Sequence, residues 1–178
     1  MEVIEPGQDR KVAALRSAFH VHIFLLSGGN MNKDYFDIAF IEAEKAFNKD
    51  EVPIGAVIVK DNAVIASAYN HKEEEKCCTA HAEILAIQDA SKKLNNWRLE
   101  GCSMYVTLDP CPMCASAIKQ ARIEHVYSAL NNSDSNNLNI IENIFKTDNV
   151  NPNVEFISNL DQDRSKELLN SFFEKQRN

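Results

Sequence analysis

Long apolar runs are missing from this chain. None approaches the roughly 18 consecutive residues that a bilayer span requires, so no membrane helix is expected. Glycine and proline are scarce, at five each in 178 residues, which excludes a collagen-like or low-complexity chain. An excess of positive charge is absent too. The 19 basic residues face 26 acidic ones, for a net charge of −7. Such a chain should not coat nucleic acid non-specifically, because phosphates would be repelled; a local, specific contact stays open. Glu2, Glu5 and Asp9 stand where a secretory signal would begin with positive residues, so the expected location is the cytoplasm.

The hydrophobic content of 44% and charged content of 25% are those of an ordinary globular protein. A chain of this length buries about two-thirds of its unfolded surface, so a disulfide frame is not needed. The cysteines are Cys77, Cys78, Cys102, Cys111 and Cys114. Their odd number and the Cys111-x-x-Cys114 spacing suit metal or redox chemistry in a reducing compartment.

Residues 1–30 differ from the rest and carry Ser27-Gly28-Gly29 near their end, which suggests an N-terminal extension outside a core domain of residues 31–178; the alternative is an added helix from Arg10 to Ser17 that packs on the domain. Phe36, Ala39, Phe40, Ala43 and Phe47 recur at helical spacing over 33–48. Residues 56–59 and 64–69 read as two strands joined by a tight turn at Lys60-Asp61-Asn62. A second helix is expected from His81 to Leu94, with Ile84, Leu85 and Ile87 inward. A strand follows at 104–108. Pro110 and Pro112 suit the start of a third helix that continues to about Arg122. Another strand is expected at 125–130. The run 131–153 holds nine asparagines and reads as a loose loop around a short helix at 140–146. A last strand at 154–157 and a closing helix at 161–175 complete the pattern. This order predicts an α/β fold, a three-layer α/β/α sandwich on a mixed five-stranded sheet.

Two motifs carry chemistry. His81-Ala82-Glu83 opens one expected helix, and Pro110-Cys111-Pro112-Met113-Cys114 opens another. Two thiolates at i and i+3 in a first helical turn can converge on one ion, and an imidazole from a neighbouring helix start can be the third ligand. Helix N-termini favour thiolate. Zinc accepts this sulfur–nitrogen set and keeps a fourth position for water, which then ionises near neutral pH. Glu83, two residues from His81, need not be a ligand. It can take a proton from that water, pass it to a ring nitrogen and help protonate a departing amine. The chemistry is hydrolytic deamination by a zinc-activated hydroxide, and H-x-E with P-C-x-x-C is a recognised signature of nucleobase deaminases.

The strings Thr79-Ala80-His81-Ala82-Glu83-Ile84, Tyr105-Val106-Thr107-Leu108-Asp109-Pro110-Cys111-Pro112-Met113-Cys114, Asn96-Trp97-Arg98-Leu99 and Ala121-Arg122-Ile123 resemble bacterial tRNA-specific adenosine deaminases. So does the ending Phe172-Phe173-Glu174-Lys175-Gln176-Arg177. The resemblance runs from about Asp34 to Arg177. It implies a cytidine deaminase-like fold and formation of inosine at the wobble position of a tRNA anticodon. It further implies a homodimer with one zinc per subunit, held by His81, Cys111 and Cys114, with Glu83 as proton shuttle and Asn70 holding the target nucleoside. The chain departs from the family at Cys77-Cys78, at Asp109 in place of the usual Glu, and at Asn131-Asn132-Ser133 in place of a basic segment.

Two alternatives remain at this stage. Cys78 and His81 form a C-x-x-H, and a third thiolate would close the site into a structural zinc module. The same zinc chemistry could instead serve a free base or nucleoside of the guanine or cytosine type. Lys119 and Arg122 read as a solvated helix face, Trp97 as packing, and Phe172 and Phe173 as core or dimer contacts.

Overall fold

The apolar stripe expected near the start of the domain lies on α1 (Met31–Asn48), where Tyr35, Phe36, Ala39, Phe40, Ala43 and Ala46 are buried. The computed structural model describes residues 31–131, 135–147 and 153–177. The expectations for residues 1–30, and for the parts of the asparagine-rich run at 132–134 and 148–152, lie outside the described residues. After α1 come β1 (Gly55–Lys60), β2 (Ala63–Tyr69), α2 (Ala82–Leu94), β3 (Cys102–Val106), α3 (Pro112–Gln120), β4 (His125–Ser128), α4 (Ser135–Lys146), β5 (Glu155–Ile157) and α5 (Gln162–Arg177).

The sheet order is β2-β1-β3-β4-β5. The opening pair is an antiparallel hairpin whose two turn residues, Asp61 (φ 49°) and Asn62 (φ 62°), both adopt the left-handed region that such a short turn requires. β1 also pairs antiparallel with β3, Ile58 opposite Met104, whereas β3–β4 and β4–β5 are parallel. Hence β2 and β3, joined through α2, run in the same direction with β1 inserted between them. Flanked on both edges and both faces, β1 is buried from Gly55 to Val59, which is why its Ala56-Val57-Ile58-Val59 run is continuously apolar.

One sheet face, with Ala56, Ile58, Met104, Val106 and Val126, packs against Ala82, Ala86 and Ala90 of α2, Ala115 and Ile118 of α3, and Ile141 and Phe145 of α4. The other, with Val57, Val59 and Tyr105, packs against Tyr35, Phe36, Ala39 and Phe40 of α1, and Leu168 of α5 lies against it. This is the expected three-layer arrangement.

The structure revises several local expectations. The inward stripe of α2 is Ala82-Glu83-Ala86-Ala90, and Ile84, Leu85 and Ile87 are only partly buried. Small side chains let the helix axis lie close to the sheet, and the larger aliphatics flank it. β3 starts and ends two residues earlier than expected; beyond it the Thr107 N–H donates to Gly55 O at 3.1 Å before the chain turns into α3. α4 begins at Ser135 and is longer than the expected short helix. Lys119 is buried, with Nζ donating to the Phe145 carbonyl at 2.7 Å; it ties α3 to the last turn of α4 and is not a solvated face. Trp97 is 53% exposed, with the Arg98 guanidinium 4.2 Å from its ring centre. Phe172 is buried beside Phe47, whereas Phe173 is exposed.

Candidate active site

β2 delivers the chain to Asn70, which is buried at the head of α2. The Asn70 N–H donates to Ile54 O, and its Oδ1 accepts the N–H of Ala82 at 3.0 Å. Ala82 is the first residue of α2, so Asn70 satisfies one of the amides that a helix start leaves without a partner. His81 is the cap residue, in extended conformation (φ −81°, ψ 150°), and its side chain makes no capping bond. The ring is thereby free to turn toward the neighbouring helix.

α3 begins alike. Cys111 is its extended cap (φ −71°, ψ 167°), followed by Pro112 in the first turn. Hydroxyl groups fix the turn that precedes it. The Gly55 N–H donates to Thr107 Oγ1 at 3.1 Å, Ser165 Oγ donates to Thr107 O at 2.6 Å, and Ser158 Oγ donates to Asp109 Oδ1 at 2.6 Å. The Asp109 N–H donates to Leu130 O. Sequence reasoning did not flag Thr107, Ser158 or Ser165. The signal available for Thr107 and Ser165 was a small hydroxyl at a position that helix or strand periodicity assigns to the interior.

These two helix starts bring three donors together. His81 Nδ1 lies 3.8 Å from Cys111 Sγ and 3.5 Å from Cys114 Sγ, and all three atoms fall within 4.8 Å of one another. Zinc bond lengths of about 2.3 Å to sulfur and 2.0–2.1 Å to nitrogen, at the tetrahedral angle, imply N–S edges of about 3.6 Å. The observed spacing fits that ion. Among the described residues the candidate ligand group holds these three side chains, and neither Cys77 nor Cys78 belongs to it. The closed, structural zinc module is therefore not the arrangement found.

The electrostatics suit a cation. The Cys111 thiol is pulled down to about 5, chiefly by a hydrogen bond from Cys114, then by the amides of Cys114 and Met113 and by His81. Cys114 is pushed up, because it holds the proton shared with Cys111 and because it is buried. Glu83 is 3% exposed, and its Oε2 has no hydrogen-bond partner among the described residues. Burial raises its pKa, and negative charge at Cys111 adds to the effect. A buried carboxyl oxygen left without a partner, beside an S₂N donor set, is what an open catalytic site requires of a proton carrier.

The fold and this donor set define a hydrolytic deaminase of the zinc-dependent nucleobase class. Residues 30–177 match the MafB19-like deaminase family. The chain is 45% identical over 150 residues to the tRNA-specific adenosine deaminase of Aquifex aeolicus (strain VF5), covering 83% of this chain and 98% of that protein. A solved structure from a study of A-to-I editing by tRNA:A34 deaminases at the wobble position superposes with a TM-score of 0.71. It is 38% identical and covers 77% of this chain and 99% of its own. Guanine deaminase from Bacillus subtilis gives a TM-score of 0.55 at 37% identity, covering 61% of this chain and 69% of that one. The chain belongs to the family of tRNA-specific adenosine deaminases. No helix among the described residues is long and apolar enough to cross a membrane.

Proposed function

We propose that the protein deaminates adenosine to inosine at the wobble position of a tRNA anticodon stem-loop. The carrying observation is the convergence of His81 Nδ1, Cys111 Sγ and Cys114 Sγ beside the buried Glu83, whose Oε2 has no hydrogen-bond partner among the described residues, in a chain that matches 98% of the length of a tRNA-specific adenosine deaminase. His81, Cys111 and Cys114 would hold one zinc per subunit, which when bound supplies a Lewis acid that makes water nucleophilic near neutral pH.

The remaining steps belong to the chain's own residues. Glu83 accepts the proton of the attacking water at its Oε2. It delivers that proton to the ring nitrogen beside the amine-bearing carbon, then takes the hydroxyl proton of the hydrated carbon and passes it to the amine, so that the C–N bond breaks, the carbonyl forms and ammonia leaves. Its raised pKa suits both directions, since a carboxyl group at its ordinary value would release the proton too readily. Asn70, whose Oδ1 is committed to Ala82, offers its Nδ2–H groups to an acceptor on the nucleoside. The adenine must be turned out of its stack to reach the site, which a single-stranded loop permits at small cost. The same reading gives a homodimer working in the cytoplasm, with residues 31–178 as the deaminase domain and 1–30 as an accessory extension.

The zinc-loaded protein should be incubated with an anticodon stem-loop carrying wobble adenosine, and separately with guanine, cytosine and adenosine. Inosine in the RNA, with the free compounds untouched, is the expected result. Ammonia from guanine with no inosine in the RNA would overturn the substrate and favour the free-base reading.

A further inference from the structure

Between Asn70 and His81 the chain forms a closed loop. His71 N–H donates to Ala80 O, Cys77 N–H to Lys72 O, Ala80 N–H to Cys77 O and His81 N–H to Thr79 O. Two further ties pin it to the segment after α1: Glu74 N–H donates to the buried Glu51 Oε1 at 2.7 Å, and Lys49 Nζ grips the Glu74 carboxylate. Both loop ends are residues of the active site, and the loop carries adjacent free thiols that the deamination mechanism does not use. Cys77 is partly exposed and Cys78 exposed, whereas Cys102 and Cys114 are buried. Cys77 Sγ lies 3.2 Å from Thr79 Oγ1. That hydroxyl, followed by the amides of Thr79 and Ala80, stabilises the thiolate and lowers the thiol's pKa.

We propose that Cys77 and Cys78 form an oxidation-sensitive thiol pair that hydroperoxides convert to a vicinal disulfide, and that this bond deforms the loop leading into His81. The Cys77 thiolate attacks the peroxide; an S–O bond forms as the O–O bond breaks, the leaving alkoxide or hydroxide takes a proton from water, and the peroxide is reduced while sulfur loses two electrons. Cys78 as thiolate then attacks the sulfenic sulfur. An S–S bond forms, the S–O bond breaks, and the leaving hydroxide takes a proton to become water. Neighbouring Cα atoms stand about 3.8 Å apart across a trans peptide. Ordinary disulfides separate theirs by about 4.4–6.8 Å. Closing the bond must therefore twist the 77–78 peptide, which costs the Cys77 N–H and Ala80 N–H bonds that shape the loop. The same strain makes the bond easy to reduce.

The test uses the zinc-loaded full chain treated with hydrogen peroxide and then mapped by peptide mass. The expected product is loss of two hydrogens confined to the Cys77–Cys78 peptide, reversed by dithiothreitol. Cys78→Ser should instead accumulate a Cys77 sulfenic acid that dimedone traps, and Cys77→Ser should slow oxidation several-fold. Oxidation at Cys111 and Cys114 with zinc released, while Cys77 and Cys78 stay reduced, would overturn the proposal. A second arm follows RNA deamination, which should fall several-fold on oxidation and recover with thiol. The double variant Cys77→Ser/Cys78→Ser should retain its activity in peroxide; equal loss in wild type and double variant would overturn the loop's control of the site. Only this second arm rests on the deaminase reading, so failure of one assignment is distinguishable from failure of the other.

Discussion

Glu83 combines three properties rarely found together: burial, a raised pKa and an oxygen without a partner. An acid at a helix N-terminus is normally favoured in its charged form. Here desolvation outweighs the dipole and raises the pKa. Replacing Glu83 by the isosteric amide removes the proposed proton carrier and leaves the three donors in place. Glu83→Gln should bind zinc as the wild type does and lose about 10²–10⁴-fold in turnover, as measured by metal content and by inosine formation. Burial acts in the same direction on Cys102. It is fully buried, and burial raises its pKa above the ordinary 9.0. The folded state thus keeps the Cys102 proton to higher pH than the unfolded state does. Its contribution to stability is complete below the ordinary thiol value and is lost as pH rises through the folded one. Cys102→Ala should flatten the decline of unfolding free energy above pH 9, read by denaturant titration across that range.

At the scale of elements, the site depends on two helix starts and on how closely helices approach the sheet. Small residues set that approach. Ala82, Ala86 and Ala90 line α2 against the sheet, and Gly55 opens β1 beneath α1. A Cβ on Gly55 would stand 2.0 Å from Ala39 O and 2.7 Å from Ala43 N. Both are backbone atoms of α1 that cannot swing aside, so the helix must shift. Gly55→Ala should destabilise the protein by about 1–3 kcal/mol or more, seen as a lower denaturant midpoint with an unchanged slope. Gly55 also donates to Thr107 Oγ1 in the turn toward Cys111, so the same variant should weaken zinc retention.

For the molecule as a whole, the donor set joins parts of the chain that are distant in sequence. His81 comes from the crossover between β2 and β3, and Cys111 and Cys114 from the crossover between β3 and β4. An ion held by them cross-links α2 to α3 only in the folded state, so removing it should destabilise the fold by mass action. Treatment with a strong chelator should lower the melting temperature of the wild type. Cys111→Ala should already melt at the chelated value and respond no further; an equal chelator response in both would contradict zinc at this site. Most of the architecture was legible beforehand. The 3.6-residue period of Phe36, Ala39, Phe40 and Ala43 marked α1, and the two strand-like runs on either side of Lys60-Asp61-Asn62 marked the hairpin. The inward face of α2 was misjudged because hydrophobicity ranks Ile84 and Leu85 above alanine, whereas packing against a sheet at close range selects for small size.

The sequence by itself determined the pattern of candidate ligands: the types and spacings of His81, Glu83, Cys111 and Cys114 suit a metal and a proton carrier. Local capping geometry follows from the same residues, since each motif sits where a strand gives way to a helix. Only tertiary structure decided that Cys78 stays out of the cluster, that Lys119 is buried against α4, and that Asn70 braces the start of α2. Each of those outcomes depends on contacts across a dozen residues or more, where burial and the pairing of backbone groups outweigh local preference, and no periodicity in the chain encodes such distances.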